Sequence, residues 1–141
     1  MKKIILFFLF SLILCLGCSQ NIKISGHVKF DDGEPVSFGE VCFETAQNTF
    51  LGRLDPNGYY TVGNTKDGRG IPPDDYTVYL SGTSLVQTVP GKGNSDVVVM
   101  VEKQRVHPKH THPNSDALKF TVKKDGKKTF DFTVERPPQK K

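Results

Sequence analysis

The sequence predicts an all-β protein, a seven- to eight-stranded antiparallel β-sandwich. Three observations carry that expectation. Short apolar runs alternate with polar residues. The 13 glycines and 9 prolines fall mainly between those runs. Beyond the N-terminal segment, no window of about 11 residues sustains a helical period.

The candidate strands, in order, span residues 22–30, 36–45, 50–54, 59–62, 76–80, 97–101, 118–123 and 129–134. Asp32-Gly33 separates the first two and supplies a residue tolerant of positive φ. Pro35 then fixes φ at the entry to the next strand. Asn57-Gly58 turns the chain before 59–62 in the same way. Ser81-Gly82-Thr83-Ser84 reads as the start of a polar loop, and residues 87–96, with Pro90, Gly91, Gly93 and Asn94, as a flexible connection suited to recognition. The last two strands show the clearest alternation. Leu118, Phe120 and Val122 alternate with Lys119, Thr121 and Lys123, and Phe130, Phe132 and Val134 with Thr129, Asp131 and Thr133. Asp125-Gly126 between them predicts a tight hairpin. Phe43, Val78, Phe120 and Phe132 are expected in the core, with Tyr59, Tyr60, Tyr76 and Tyr79 divided between core and surface. Seven or eight short strands with frequent turns favour a sandwich.

The first eighteen residues read as an address. Lys2 and Lys3 precede an almost wholly apolar run from Ile4 to Leu16. Its 13 residues fall short of the about 20 that span a bilayer. A charged start, a short apolar core and a small residue before a cut describe a secretory signal. Here Gly17 precedes Cys18, and the chain turns polar at Ser19-Gln20-Asn21. The arrangement resembles a bacterial lipobox, although Cys15 stands where an aliphatic residue is usual. It implies cleavage before Cys18, acylation of the Cys18 thiol and a palmitate-type anchor. Two or three chains hold a protein on a membrane where one chain holds it only marginally. Ser19 is not the aspartate that retains such proteins in an inner membrane, so the outer membrane is the favoured location in the cell envelope.

Removal of residues 1–17 leaves 124 residues and takes two lysines and no acids, lowering the formal charge from +4 to +2. That balance argues against nucleic-acid binding. Cys42 is then the one cysteine neither removed nor lipidated, so no intrachain disulfide is expected. It reads as a small packed residue within a strand. The resulting organisation is a signal peptide (1–17), a lipidated tether (18–21), one domain (22–135) and a frayed tail (136–141).

The strongest chemical candidate is His107-Pro108-Lys109-His110-Thr111-His112-Pro113. His107, His110 and His112 are candidate metal ligands for Zn²⁺ or Cu²⁺. Yet no acid or cysteine lies nearby in sequence and Lys109 adds repulsion, so a solvated loop is the preferred reading. Asp55-Pro56-Asn57-Gly58 begins like a calcium loop without its distal glutamate. Asp31, Asp32 and Glu34 read as a solvated turn. No nucleophile elbow, phosphate loop or His-Glu-x-x-His occurs in the chain. Neither catalytic residues nor a cofactor is expected.

Four motifs carry a family resemblance. Gly26-His27-Val28 runs into Asp32-Gly33-Glu34-Pro35, followed by Gly39, Val41 and Phe43 in a G-x-V-x-F pattern. Asp55-Pro56-Asn57-Gly58-Tyr59-Tyr60 and Pro73-Asp74-Asp75-Tyr76-Thr77-Val78 come next, at fitting spacing. Ser115-Asp116-Ala117-Leu118 is a loose version of a further T-S-G-L stretch. This order resembles carboxypeptidase-regulatory-like and transthyretin-like (prealbumin-like) domains, as found in small bacterial lipoproteins. The resemblance implies a non-catalytic binding or scaffolding module that contacts an envelope protein or glycan. The alternative is a metal-handling envelope lipoprotein using the histidine cluster.

Overall fold

A computed structural model describes residues 21–63, 70–90, 98–114 and 117–138. Nine strands follow in chain order: β1 Ile24–Phe30, β2 Glu40–Glu44, β3 Thr49–Arg53, β4 Tyr59–Val62, β5 Asp74–Ser81, β6 Ser84–Pro90, β7 Val98–Gln104, β8 Leu118–Val122 and β9 Phe132–Val134. Among the described residues a single 3₁₀ turn, Pro108–His110, interrupts them, and no α-helix occurs. The expected signal segment and Cys18 lie outside the described residues.

The strands form a three-stranded sheet ordered β4-β1-β9, a four-stranded sheet ordered β3-β2-β5-β8 and a two-stranded ribbon β6-β7. The two larger sheets face one another across one core. Alternation decides which side chains enter it. Ile24, Val28 and Phe30 point inward from β1 and Val41 and Phe43 from β2, all at most 4 % exposed. From β5, Tyr76, Val78 and Leu80 do the same. Phe43 of β2 lies at the centre, its ring centroid 6.3 Å from Tyr60 in the opposite sheet and 5.9 Å from Tyr76 in its own. The tyrosines divide as expected: Tyr60 and Tyr76 are buried, Tyr79 half-buried and Tyr59 exposed. Both buried hydroxyls find backbone acceptors, Tyr60 at Phe130 O (2.6 Å) and Tyr76 at Pro72 O (2.8 Å). Gly33 and Gly58 adopt positive φ, as their turns require.

Two expectations need correction. Residues 118–134 do not form a hairpin: β8 pairs antiparallel with β5, and β9 pairs parallel with β1. Alternation fixes which face of a strand is buried and leaves its partner open. Phe120 and Phe130 meet from opposite sides of the core, stacked with centroids 4.4 Å apart. The turn at Asp125-Gly126 does form, with Gly126 N–H donating to Lys123 O (3.1 Å). Gly126 lacks the positive φ of a tight hairpin turn, so the strands diverge into separate sheets. The β1–β9 pair also makes the sandwich mixed rather than wholly antiparallel.

The second correction is β6, which replaces the expected loop from residue 87 and raises the strand count to nine. Its terminal Pro90 is tolerated because each strand of a two-stranded ribbon has an unpaired edge. Phe43 and Val78 are fully buried, and Phe120 and Phe132, on the edge strands β8 and β9, are partly buried and packed against the same core, as expected. Arg136 stands at the start of the expected tail. Its guanidinium pairs with Asp32 (2.8 Å) and with Glu34, and lies 3.9 Å above the Phe30 ring.

Backbone proximity constrains the seam between β1 and the β8–β9 connection. A Cβ at Gly26 would lie 2.0 Å from Phe130 O, on the same carbonyl that receives the Tyr60 hydroxyl. Gly26→Ala is expected to lower unfolding free energy by at least about 2 kcal/mol in urea titration. Phe43→Ala should lower it by about 3–5 kcal/mol. Leu51→Ala, at an exposed position, should stay within about 0.5 kcal/mol.

Candidate functional site: an aromatic cleft and a histidine loop

Strand alternation sends Tyr60 into the core and its neighbour Tyr59 to the outer surface, where it is 40 % exposed. The ring is nonetheless held in place. The Thr61 hydroxyl hydrogen-bonds the phenol oxygen (3.2 Å), which, with a smaller contribution from Ser25, lowers its pKa from the ordinary tyrosine value. The His27 ring tilts against it, with centroids 5.1 Å apart. Below the ring, Asp55 Oδ1 accepts the N–H groups of Asn57 (2.8 Å) and Tyr59 (2.9 Å), fixing the turn that leads into β4. This use of Asp55 is a turn-closing one, in the segment that began like a calcium loop.

Tyr59 borders an open cleft of about 380 Å³, shared with Leu51, Arg53, Glu40, Asp55 and Thr61. Leu51 is 48 % exposed. Glu40 and Arg53 are direct cross-strand neighbours. Among the described residues no ion pair joins them or engages Arg53 with any other carboxylate. On the other side of His27 lies a second open cleft of about 300 Å³ lined by Lys29, Asp131, Phe132 and Thr133. Asp131 Oδ1 accepts the backbone N–H of His27 (2.8 Å) and lies 3.8 Å from its Nδ1. The Tyr59–His27 pair thus stands between two open clefts of mixed polar and apolar lining.

The sequence offered one signal for this site, the consecutive pair Tyr59-Tyr60 in a strand. One of the two had to face outward. Which polar groups would surround it was not legible, because Arg53, His27 and Asp131 come from separate strands and connections.

The histidines fall in the segment between β7 and β8. His107 precedes the 3₁₀ turn, and its Nδ1 accepts the Lys109 N–H (3.2 Å). His107 and His110 come together, with centroids 6.5 Å apart. His112 Nδ1 instead lies 2.9 Å from Thr111 Oγ1. Among the described residues, no three His, Cys, Asp or Glu side chains converge into a set that could hold a metal ion. Folding does bring an acid that the local sequence lacks. Glu135 pairs with the Lys109 ammonium, and its carbonyl accepts the His107 N–H (2.8 Å). His110 Nε2 is buried with no hydrogen-bond partner among the described residues.

Two further sequence candidates have structural roles. Asp32 and Glu34 close on Arg136, which lowers the Asp32 pKa chiefly through their hydrogen bond. Cys42 is 2 % exposed, its Sγ lies 3.3 Å from Ser81 Oγ, and burial pushes its pKa up. A buried thiol held protonated is a poor nucleophile.

No protein family, curated protein or solved structure matches the chain.

Burial, and then the Lys109 charge, lower the His110 pKa from its ordinary value of 6.5; His107 adds to the effect and Glu135 opposes it. The unfolded chain therefore takes up this proton at higher pH than the folded one. Stability gained by keeping His110 neutral is complete above 6.5 and is lost as pH falls through the lower, folded value. His110→Gln should flatten the decline in melting temperature between about pH 7 and pH 5. His112→Gln, at an exposed site, should leave it unchanged.

Proposed function

We propose that the chain is a lipoprotein of the bacterial cell envelope, anchored through Cys18, whose β-sandwich is a non-catalytic binding module of the carboxypeptidase-regulatory or transthyretin-like kind. The observation that carries the binding role is the Tyr59 cleft. An aromatic ring is exposed to solvent yet contacted by Thr61 and His27, beside an arginine with no carboxylate partner among the described residues. Structural economy alone would leave such a ring mobile or bury it. A prearranged surface loses less conformational entropy when a ligand arrives. The anchor rests on Gly17-Cys18 after a short apolar run, and the family reading on the ordered motifs between Gly26 and Val78. The all-β architecture is compatible with both. No helix among the described residues is long and apolar enough to cross a membrane. The loop histidines give weaker support to a metal-handling role, since His112 engages Thr111 while His107 and His110 pair with one another.

Two measurements test the proposal. Cells fed labelled palmitate should label the wild-type protein and not Cys18→Ser; label that survives the substitution overturns the anchor. A photocrosslinking residue at position 51, within the cleft, should yield adducts with envelope components. The same residue at position 119, on β8, should not. Equal adduct formation at both positions overturns the binding role of the cleft.

A further inference from the structure

Taking the binding role of the Tyr59 cleft as given, the geometry points to its ligand class: we infer that the cleft takes a neutral, hydroxyl-rich saccharide stacked on Tyr59. Three features of the site lead there.

The first is the ring itself. Aromatic π faces carry partial negative charge and attract polarised C–H groups, which a pyranose presents along one face. Tyr59 offers such a surface at 40 % exposure, hydrogen-bonded at its hydroxyl by Thr61 and flanked by His27. Leu51, 48 % exposed, extends the apolar surface beside it.

The second is the balance of polar groups. Arg53 brings a planar array of donors, while Glu40 and Asp55 bring acceptors. Asp55 uses Oδ1 for its turn, and among the described residues Oδ2 has no internal hydrogen bond. Donors and acceptors of both kinds, close together, suit hydroxyls that give and accept hydrogen bonds at once. The adjoining cleft repeats the balance with Lys29 and Asp131. A polyanion would meet Glu40, Asp55 and Asp131; a polycation would meet Arg53 and Lys29. A neutral ligand meets neither repulsion.

The third is what the backbone forbids. Peptides commonly join a sandwich by adding a strand to an open sheet edge. Here β3 and β4, the edges of the two sheets, close on one another. A Cβ at Gly52 would lie 2.9 Å from Thr61 O. No strand can be inserted between them. The two clefts flank the Tyr59–His27 pair, so the ligand spans more than one ring, with one unit on Tyr59 and the next toward Lys29 and Asp131.

The test applies detergent-solubilised full-length protein to insoluble cellulose, a β-1,3-glucan, chitin and mannan, with heparin–agarose as the polyanion. Retention on at least one neutral polysaccharide, reversed by its own soluble oligosaccharide, is expected. Tyr59→Ala and Tyr59→Leu should each weaken it at least tenfold, Arg53→Ala should weaken it several-fold, and Tyr59→Phe should largely retain it. Lys119→Ala, on β8 at the opposite edge of the four-stranded sheet from β3, should bind as wild type. Tyr59→Leu keeps apolar bulk without a π face, so its loss of binding at an unchanged melting temperature separates stacking from folding. Failure to bind any neutral polysaccharide, retention on heparin alone, or binding indifferent to Tyr59→Leu each overturns the saccharide assignment. Crosslinks at position 51 that persist alongside any of those results leave the binding module standing with a different ligand.

Discussion

The contact on which the sandwich depends is the aromatic cluster around Phe43. This ring, wholly buried on β2, touches Tyr60 of the opposite sheet and Tyr76, Phe120 and Phe130 at centroid distances of 5.9 to 6.3 Å. The aliphatic side chains around it, among them Ile24, Val28, Val41 and Val78, supply burial without a preferred orientation. Edge-to-face contacts have preferred angles, so the cluster selects one placement among the many that simple burial would accept. Tyr60 couples this placement to the backbone, because its hydroxyl hydrogen-bonds the carbonyl of Phe130. That same carbonyl approaches Gly26 closely enough to leave no room for a side chain. The core and the parallel β1–β9 seam are therefore one construction.

The outer surface inherits its geometry from that core. Since Tyr60 must point inward, Tyr59 must point outward. Since β3 and β4 approach at Gly52 and Thr61, the side chains of Leu51 and Arg53 are brought beside Tyr59. Packing does not require the resulting arrangement of an exposed ring, an arginine without a carboxylate partner and two carboxylates. A sheet edge covered by its neighbour is also shielded from the addition of another strand, which leaves side chains rather than backbone as the recognition surface.

Ion pairs tie the chain's end to its beginning and to the histidine segment. Arg136 covers Phe30 and engages Asp32 and Glu34, while Glu135 engages Lys109. Exposed pairs of this kind contribute little to stability. Their effect is positional: they fix where the end of β9 lies, and so hold His107 and His110 against Glu135.

The sequence by itself determined the secondary-structure class, most strand positions and which face of each strand is buried. Those properties depend on alternation and turn residues, which are local. Val41 and Phe43, Tyr76 and Val78, and the turns at Gly33 and Gly58 all follow from neighbours within a few positions. Tertiary structure decided the partners. Asp125-Gly126 looked like a hairpin turn, yet β8 and β9 joined different sheets, because burying Phe120 against Phe130 across the core satisfies both strands. β6 was hidden behind Pro90 and the glycines that follow it, since its partner strand lies beyond them. The candidate site was legible only as Tyr59. Arg53, Glu40, His27 and Asp131 reach it through cross-strand neighbours and the β3–β4 closure. Glu135 reaches the histidines from the far end of the chain. Long-range pairing depends on the closure of large loops and on the shared volume of one core, and neither is encoded at any single position.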